Sequence, residues 1–351
     1  MATTPYFILS PNTVLSIIGL IHGPDKTVPH PADDWRDATV DVVIPAFNEE
    51  SNIPLCLAAL ARQTRKPTRI ILIDDGSRDR TVEVAREGGV HHIVSLPHNQ
   101  GLARAFMAGI EASLKAGADV IVNIDADNQH DASCIPDLVA PILSGTAQIV
   151  VGARPIATIS EFSLIKKILQ RIGSAVVRFA SGTNIPDAPC GFRAFHSEAA
   201  LRLNVFGEYT YTLETIIQAG RKSIPIASVP IRVNGASRPS RLIKSIPSYV
   251  YRSVISIVRI FVLYKPLRFF FFIGSVLLAA GAALGVRFIY LHTHGIGGGR
   301  VQSLLLATVL ILSAMVVFAA GVLSDLIAAN RLLLEEIRTR QLRAVIDRKS
   351  S

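Results

Sequence analysis

The sequence predicts an α/β fold over residues 39–235, with a mostly parallel sheet and flanking helices, followed by helices that contact or cross a membrane. Two observations predict the sheet. β-branched runs alternate with segments of helical periodicity, and several of these runs end in acidic residues. A third observation predicts the membrane helices: hydrophobic residues make up 50% of the chain, and two long apolar runs follow the sheet domain.

Four strand–helix units open the sheet domain. The strands are VDVVIPAF from residue 40, TRIILIDDGS from 68, HHIVSLP from 91 and ADVIVNIDAD from 118. This alternation predicts parallel strands joined by right-handed crossovers. Further strands are predicted at VGARP, in DAPCGFRAF and at IPIASVPIRV, and residues 160–181 are predicted to form a basic amphipathic helix. Because ligands bind beyond the carboxyl ends of such strands, we expect PAFNEE, DDGS and DADNQH to lie together.

The sequence from residue 236 onward predicts membrane association. Residues 236–266 place basic residues and serines on one face of a helix, which is typical of interfacial helices; an ordinary surface helix is the alternative. Apolar runs at about 268–290 and 303–324 are each long enough to cross a bilayer. We therefore interpret residues 267–325 as a two-helix transmembrane hairpin and residues 326–351 as a basic cytosolic tail.

The distribution of charge predicts the orientation in the membrane. Lys265 and Arg268 precede the first apolar run, arginines from Arg331 onward follow the second, and the loop between them carries only Arg300. The positive-inside rule then places the sheet domain and both termini in the cytosol, in a multi-pass protein of the cytoplasmic membrane. The net charge of +9, concentrated beside the apolar runs, favours a lipid bilayer over nucleic acid as a partner.

Two regions say less about function. Residues 1–38 form an N-terminal extension whose apolar stretch contains Pro11 and Asn12 and lacks a preceding basic region, which argues against a cleaved signal peptide. The three cysteines are far apart and include no CxxC pair, which favours a reducing compartment.

Asp125 and Asp127 end the fourth predicted strand. Alternate residues of a strand point the same way, so these carboxylates are expected to converge, with Gln129 adding an amide oxygen. Oxygen ligands of this kind suit Mg²⁺ or Mn²⁺. A solvated turn is the alternative interpretation, but the acidic ends of the upstream strands favour a metal site.

Other polar residues follow the predicted strands. Glu49 and Asp75 come after the first two strands, where a helix cap or a turn is the alternative role. Arg232 and Arg238 flank a Gly-Ala-Ser turn just before the predicted interfacial helix. Guanidinium groups there suit phosphate, and an ordinary juxtamembrane basic patch is the alternative.

Seven motifs together resemble glycosyltransferase family 2 with a GT-A fold, in its polyprenyl-phosphate glycosyltransferase branch. They are PAFNEE, IDDGS, NQGLARA, DADNQH, VGAR, DxxCGFR and RxxGxSR, and they cover about residues 40–240. The resemblance implies metal-dependent, inverting transfer of a sugar from a nucleotide-diphosphate sugar, with UDP-glucose or GDP-mannose favoured. The acceptor would be a membrane polyprenyl phosphate, undecaprenyl or dolichyl, and the product would serve cell-envelope or protein glycosylation. Related enzymes form oligomers, so the resemblance leaves self-association of this chain as an alternative to a monomer.

The same resemblance implies a role for individual residues. It implies nucleotide-sugar binding by Pro45, Phe47, Glu49, Ile73, Asp75 and Ala126. It implies metal binding by Asp125, Asp127 and Gln129, with Asp125, Asp127, Asp187 and Arg154 as the catalytic set. It implies phosphate or acceptor binding by Arg193, Arg232, Ser237 and Arg238. The chain departs from the family pattern at Phe47, where a tyrosine is usual, and at DASC after QH, where a proline is common.

Three other functional classes share features with this sequence. A processive polysaccharide synthase would share the DxD motif but would carry a QxxRW motif, and the single tryptophan, Trp35, precedes the sheet domain. A non-catalytic membrane protein that binds nucleotide sugars would keep the binding residues without turnover. A transporter is disfavoured because the apolar runs carry almost no polar residues.

Overall fold

The computed structural model describes residues 38–63, 65–155, 164–205, 211–234, 266–294 and 301–350, together with residues 255, 259, 262 and 264. The predicted N-terminal extension up to residue 37 lies outside these described residues. So do Ser237 and Arg238, most of the predicted interfacial segment, and the loop that carries Arg300.

A seven-stranded sheet forms the centre of the fold, in the order β3-β2-β1-β4-β6-β5-β7. Its strands are β1 Val40–Ala46, β2 Arg69–Asp74, β3 His92–Ser95, β4 Val120–Asn123, β5 Ile149–Ala153, β6 Arg193–His196 and β7 Ile226–Pro230. Only β6 runs against its neighbours β4 and β5, and the other pairs are parallel. The prediction of a mostly parallel α/β sheet is therefore confirmed.

Helices connect and cover the strands. They are α1 Ile53–Ala61, α2 Thr81–Glu87, α3 Leu102–Lys115, α4 Ile135–Leu143, α5 Leu164–Ser181, α6 Ser197–Arg202, α7 Thr212–Arg221, α8 Pro266–Thr293 and α9 Val301–Ser350. The central strands β1 and β4 are buried along their whole length, as expected for strands covered on both faces. A Cβ atom on Gly109 would lie 2.2 Å from Cγ1 of Val43, so glycine at this position lets α3 approach β1.

The register of the sheet brings the functional segments to one edge. Ala46 pairs with Asp74, so β1 and β2 end side by side. Asn123, the last residue of β4, pairs with Val43 on one side and with Arg193 on the other. The segments that follow β1, β2 and β4 therefore leave the sheet at the same edge, as the sequence predicted.

Two helices, α8 and α9, are long and apolar enough to cross a membrane. Their most apolar windows are only 11% and 17% buried, unlike core helices of a soluble domain, and this exposure fits a membrane protein. The two helices pack closely on each other. A Cβ atom on Gly274 would lie 2.5 Å from the ring of Phe318, so glycine permits this approach.

The helix α9 continues without a break for 50 residues, from the apolar run into the basic segment that follows it. This second half packs on the sheet domain. Leu342 and Ile346 contact the hydrophobic core, Thr339 donates to the carbonyl oxygen of Leu201, and Arg343 forms an ion pair with Glu198. The segment predicted as a tail is therefore a helix docked on the sheet domain.

A buried ionic cluster, formed by Glu335, Lys222, Arg331 and Tyr264, joins the sheet domain to both long helices. Glu335 of α9 is 5% exposed and lies 2.8 Å from Nζ of Lys222, the residue that ends α7. Its other oxygen lies 3.1 Å from Nε of Arg331. Arg331 in turn donates to the hydroxyl of Tyr264, just before α8, and stacks over its ring.

We predict that Glu335→Ala destabilises the protein by about 3 kcal/mol, because it leaves two poorly hydrated cations without their shared counterion. In a domain of this size that corresponds to roughly a 6–12 °C fall in the midpoint of thermal unfolding, measured in detergent. Glu336→Ala is the matched control. Its partner Arg340 is 79% exposed, so the change should be within about 0.5 kcal/mol. Equal effects of the two substitutions would contradict the ionic cluster.

Candidate active site

The segment after β1 is held against the loop after β2 by hydrogen bonds. Asn48 has a left-handed backbone (φ 53°), and its side-chain oxygen accepts from the backbone N–H of Arg78 at 2.8 Å. Glu49 is 6% exposed, and its carboxylate accepts from Nδ2 of Asn52 at 2.7 Å. The predicted residue Phe47 lies between these anchors and the strand and is half-buried.

Asp75 closes the loop after β2 over the N-terminus of α3. Its two carboxylate oxygens accept from the backbone N–H groups of Gln100, at 2.7 Å, and Gly101, at 2.9 Å. This carboxylate therefore caps α3, which satisfies backbone donors at a helix start. The other residues predicted to bind the nucleotide, Pro45, Ile73 and Ala126, are buried, and Ile73 is a core residue beneath α3.

Asp125 and Asp127 lie just beyond the end of β4 and interact electrostatically. Burial raises the pKa of Asp127, and the nearby Asp125 carboxylate raises it further. Asn128 takes a left-handed conformation (φ 56°), so the chain turns directly after them, and the backbone N–H of Gln129 donates to Asp127 Oδ1 at 3.1 Å. The two carboxylates are therefore close enough to interact electrostatically, and their role as metal ligands stays a prediction.

The donor set fits a hard divalent cation. The part of the chain that the structure describes contains no group of three or more His, Cys, Asp or Glu side chains arranged to hold a metal. Mg²⁺ is nevertheless commonly bound by only one or two protein carboxylates, and substrate phosphate and water complete its coordination shell. Asp125 is about one-third exposed, at 32%, so it remains accessible to such a ligand.

Arg154 and Asp187 form a bidentate ion pair beside the carboxylates. Nε of Arg154 lies 2.7 Å from Oδ2 of Asp187, and its NH2 group donates to Oδ1 at 2.9 Å. Burial lowers the pKa of Arg154, but the hydrogen bonds and charge of Asp187 outweigh this effect and raise the pKa above its ordinary value. Asp187 is 1% exposed and Arg154 17%, so the arginine is the more accessible member of the pair.

Arg193 occupies a structural position, which differs from the expectation that it binds phosphate. It is fully buried, and its guanidinium donates to the carbonyl oxygens of Ala188, Cys190 and Thr212. These bonds hold the DAPCGFR turn to the start of α7. The N–H groups of the Arg193 guanidinium are therefore directed into the protein interior and not toward a phosphate at the surface.

Arg232 lies on the segment that follows β7, beside the loop that carries the two aspartates. Its side chain is 67% exposed, and Nε lies 2.9 Å from Oδ2 of Asp131. The backbone joins the same two segments, because His130 pairs with Val233. The structure thus brings Arg232 close to the loop that carries Asp125 and Asp127.

Comparison with known proteins identifies the family. The model of glycosyl transferase family 2 matches residues 41–203. A UDP-N-acetylglucosamine–dolichyl-phosphate N-acetylglucosaminyltransferase from Methanococcus voltae is 30% identical over 222 residues, covering 56% of this chain and 86% of that protein. The chain belongs to glycosyltransferase family 2.

Two further similarities extend this assignment. A dodecaprenyl-phosphate galacturonate synthase from Rhizobium johnstonii is 26% identical to the glycosyltransferase over 317 residues, covering 84% of this chain and 89% of that protein. A crystal structure of glucosyl-3-phosphoglycerate synthase from Mycobacterium tuberculosis superposes with a TM-score of 0.52, at 23% identity, covering 67% of this chain and 85% of that one. The structural similarity confirms the predicted GT-A fold.

Sequence reasoning missed four residues of the glycosyltransferase that lie near Asp125. Asn123 and Tyr211 are buried polar residues that bond to the backbone of Gly191, and Gly191 lies against the Asp125 carboxylate. A fourth, His130, is 4% exposed and places Nε2 3.6 Å from Oδ2 of Asp125. The glycine in CGFR was the one available signal, since a glycine in a turn often marks a close approach.

The thiols of this glycosyltransferase are predicted to be unreactive in the native state. Burial raises the pKa of both Cys56 and Cys190 to about 12, and Asp127 and Asp125 add to the effect at Cys56. Burial also raises the pKa of Cys134. Because the thiolate is the reactive form, a maleimide at pH 7.5 should label the protein only after denaturation. Labelling of the native protein at the rate of free glutathione would contradict these environments.

Proposed function

We propose that this glycosyltransferase moves a sugar from a nucleotide-diphosphate sugar to a polyprenyl phosphate in the membrane, with the help of Mg²⁺ or Mn²⁺. The observation that carries the proposal is the proximity of Asp125 and Asp127 at the carboxyl edge of the sheet, in a domain that packs against α9, one of the two helices long and apolar enough to cross a membrane. The named acceptors of two relatives, dolichyl phosphate and dodecaprenyl phosphate, support the lipid acceptor.

The donor would bind along the edge formed by β1, β2 and β4. Asp125 and Asp127 would hold the cation, with Gln129 next to them, and Glu49 and Phe47 would lie beside the nucleotide. A divalent cation bound there neutralises negative charge on the leaving diphosphate. We favour UDP-glucose or GDP-mannose as the donor, because both are common donors of the branch that the motifs resemble.

The acceptor would meet the donor near Arg154. A phosphate oxygen of the lipid attacks the anomeric carbon, the bond from that carbon to the diphosphate breaks, and the configuration inverts. The phosphate is already anionic at neutral pH, so no strong base is required. Arg154 would bind it, while Asp187, covered by that arginine, orients the guanidinium. Arg232, Ser237 and Arg238 would contact phosphate from the segment after β7.

The proposed setting is the cytoplasmic membrane. The catalytic domain, residues 39–235, and both termini would lie in the cytosol, with residues 236–266 in the interface and residues 267–325 crossing the bilayer as a hairpin. The basic residues on the catalytic side of both apolar runs support this orientation. The docking of α9 on the catalytic domain also supports it, since it keeps that domain beside the bilayer.

The test uses the purified full-length protein in detergent with undecaprenyl phosphate, Mn²⁺ or Mg²⁺, and one radiolabelled donor at a time. We expect label from one donor in the organic phase after solvent extraction, and none after addition of EDTA. Label in a water-soluble or polymeric product would instead indicate another acceptor or a processive synthase. Donor binding without any product would indicate a non-catalytic protein.

We predict that Asp127→Ala lowers this transfer at least about 100-fold, the order of effect expected when a main electrostatic stabiliser of the reaction is lost. Asp137→Ala is the matched control, because Asp137 is an exposed carboxylate on α4, and it should retain near-normal transfer. Both variants should keep the melting temperature of the wild type within a few degrees. Full transfer by Asp127→Ala would refute the metal assignment.

A further inference from the structure

Tyr211 is a buried polar residue to which the proposed reaction gives no role. It is fully buried, and its ring stacks on Phe106, with 3.9 Å between centroids and 7° between planes. Its hydroxyl donates to the carbonyl oxygen of Gly191 at 3.0 Å. Burial raises the pKa of Tyr211 well above its ordinary value, so the hydroxyl keeps the proton that it donates.

Asn123 completes a closed set of hydrogen bonds with these two residues. Its Nδ2 group donates to the Tyr211 hydroxyl at 2.8 Å and to the Gly191 carbonyl oxygen at 3.1 Å. Asn123 is the last residue of β4, and Tyr211 immediately precedes α7. Gly191 is therefore fixed by donors from two separate elements, and one of them is the strand that leads to Asp125.

The Asp125 carboxylate packs against the residue held in this way. A Cβ atom on Gly191 would lie 2.7 Å from Oδ2 and 3.1 Å from Oδ1 of Asp125, and 2.9 Å from the Tyr211 hydroxyl. Real Cβ atoms do not lie within 3.0 Å of non-bonded atoms, so a side chain at residue 191 would push the carboxylate or the Tyr211 hydroxyl out of place. The backbone of Gly191 therefore forms the wall behind Asp125.

Packing has to orient the Asp125 carboxylate, because hydrogen bonds and ion pairs hold it only weakly. Within the described ranges, the Asp125 carboxylate accepts no hydrogen bond, and its ion-pair distance to Nε2 of His130 is 3.6 Å, longer than an ordinary hydrogen bond. A ligand carboxylate normally depends on neighbouring groups to hold its orientation, and the loss of such neighbours weakens metal binding. The wall at Gly191 supplies that constraint here.

We propose that Tyr211 and Asn123 act, through Gly191, as positioning residues for Asp125 as a ligand of the divalent cation. This inference rests on the proposed metal-binding role of Asp125. Tyr211→Phe keeps the ring on Phe106 but removes one of the two donors that hold Gly191. Gly191→Ala forces a methyl group against both the carboxylate and the Tyr211 hydroxyl.

The test measures Mn²⁺ binding directly, by the electron paramagnetic resonance signal of free Mn²⁺, with full-length protein in detergent and UDP or GDP present. Outer-shell partners of metal sites typically contribute 10–100-fold to affinity. We expect Tyr211→Phe to raise the dissociation constant for Mn²⁺ about 10-fold, and Gly191→Ala to raise it by about 100-fold or more. Transfer by Tyr211→Phe should recover at high Mn²⁺ concentration, which a purely structural defect would not produce.

Tyr264→Phe is the matched control, because it removes the hydroxyl of another buried tyrosine that bonds Arg331 in the ionic cluster. It should leave the Mn²⁺ dissociation constant unchanged, whatever it does to the melting temperature. If Tyr211→Phe does not fold, Gly191→Ala provides a second test that keeps the Tyr211 side chain itself. Unchanged Mn²⁺ affinity in a folded variant overturns the positioning role alone. A wild-type protein that binds no Mn²⁺ overturns the proposed metal site, and the inference with it.

Discussion

Two like-charged carboxylates, Asp125 and Asp127, have to be held close together at the end of a buried strand, and much of the surrounding structure follows from that constraint. Their repulsion and the partial burial of Asp127 favour its protonated form, which shows in its raised pKa. An isolated turn would relieve the repulsion by moving apart. Here β4 is paired on both sides, by β1 and β6, so the backbone leading to the carboxylates cannot yield. The cation that we propose at this edge would remove the repulsion, and the protein supplies rigidity in its absence.

The same constraint explains why the second half of the domain is built around residues that touch no substrate. Arg193 ties the DAPCGFR turn to the start of α7 through buried carbonyl oxygens. That turn delivers Asp187 to Arg154 and Gly191 to Asp125. The helix α7 then runs away from the site to Lys222, where the ionic cluster joins it to α9. The edge that carries Asp125 and Asp127 and the two apolar helices are therefore attached to opposite ends of one short helix.

The sequence predicts the sheet and its acidic edge because both depend on local patterns: β-branched runs, helical spacing, and polar residues where strands end. Contacts between distant residues carry no such pattern. Tyr211 is 88 residues from Asn123, and nothing in its own neighbourhood marks it as part of a site. An arginine in CGFR has the same sequence appearance whether it faces phosphate or, like Arg193, the interior. Leu342 and Ile346 are scattered among charges, so their segment resembled a solvated tail until the fold placed it on the core.

The position of α9 in the chain has a consequence for how the protein is made. Leu342 and Ile346 pack on the core of the catalytic domain, yet they are synthesised after both apolar helices. The domain that precedes both apolar helices can therefore acquire its last packing contacts only after those helices have been synthesised. Until then Lys222 has no counterion from Glu335, and the surface of α6 and α7 that receives α9 is open to water. Under the proposed topology, membrane insertion of both helices becomes a step in the maturation of the enzyme, because the catalytic domain gains these contacts only afterwards.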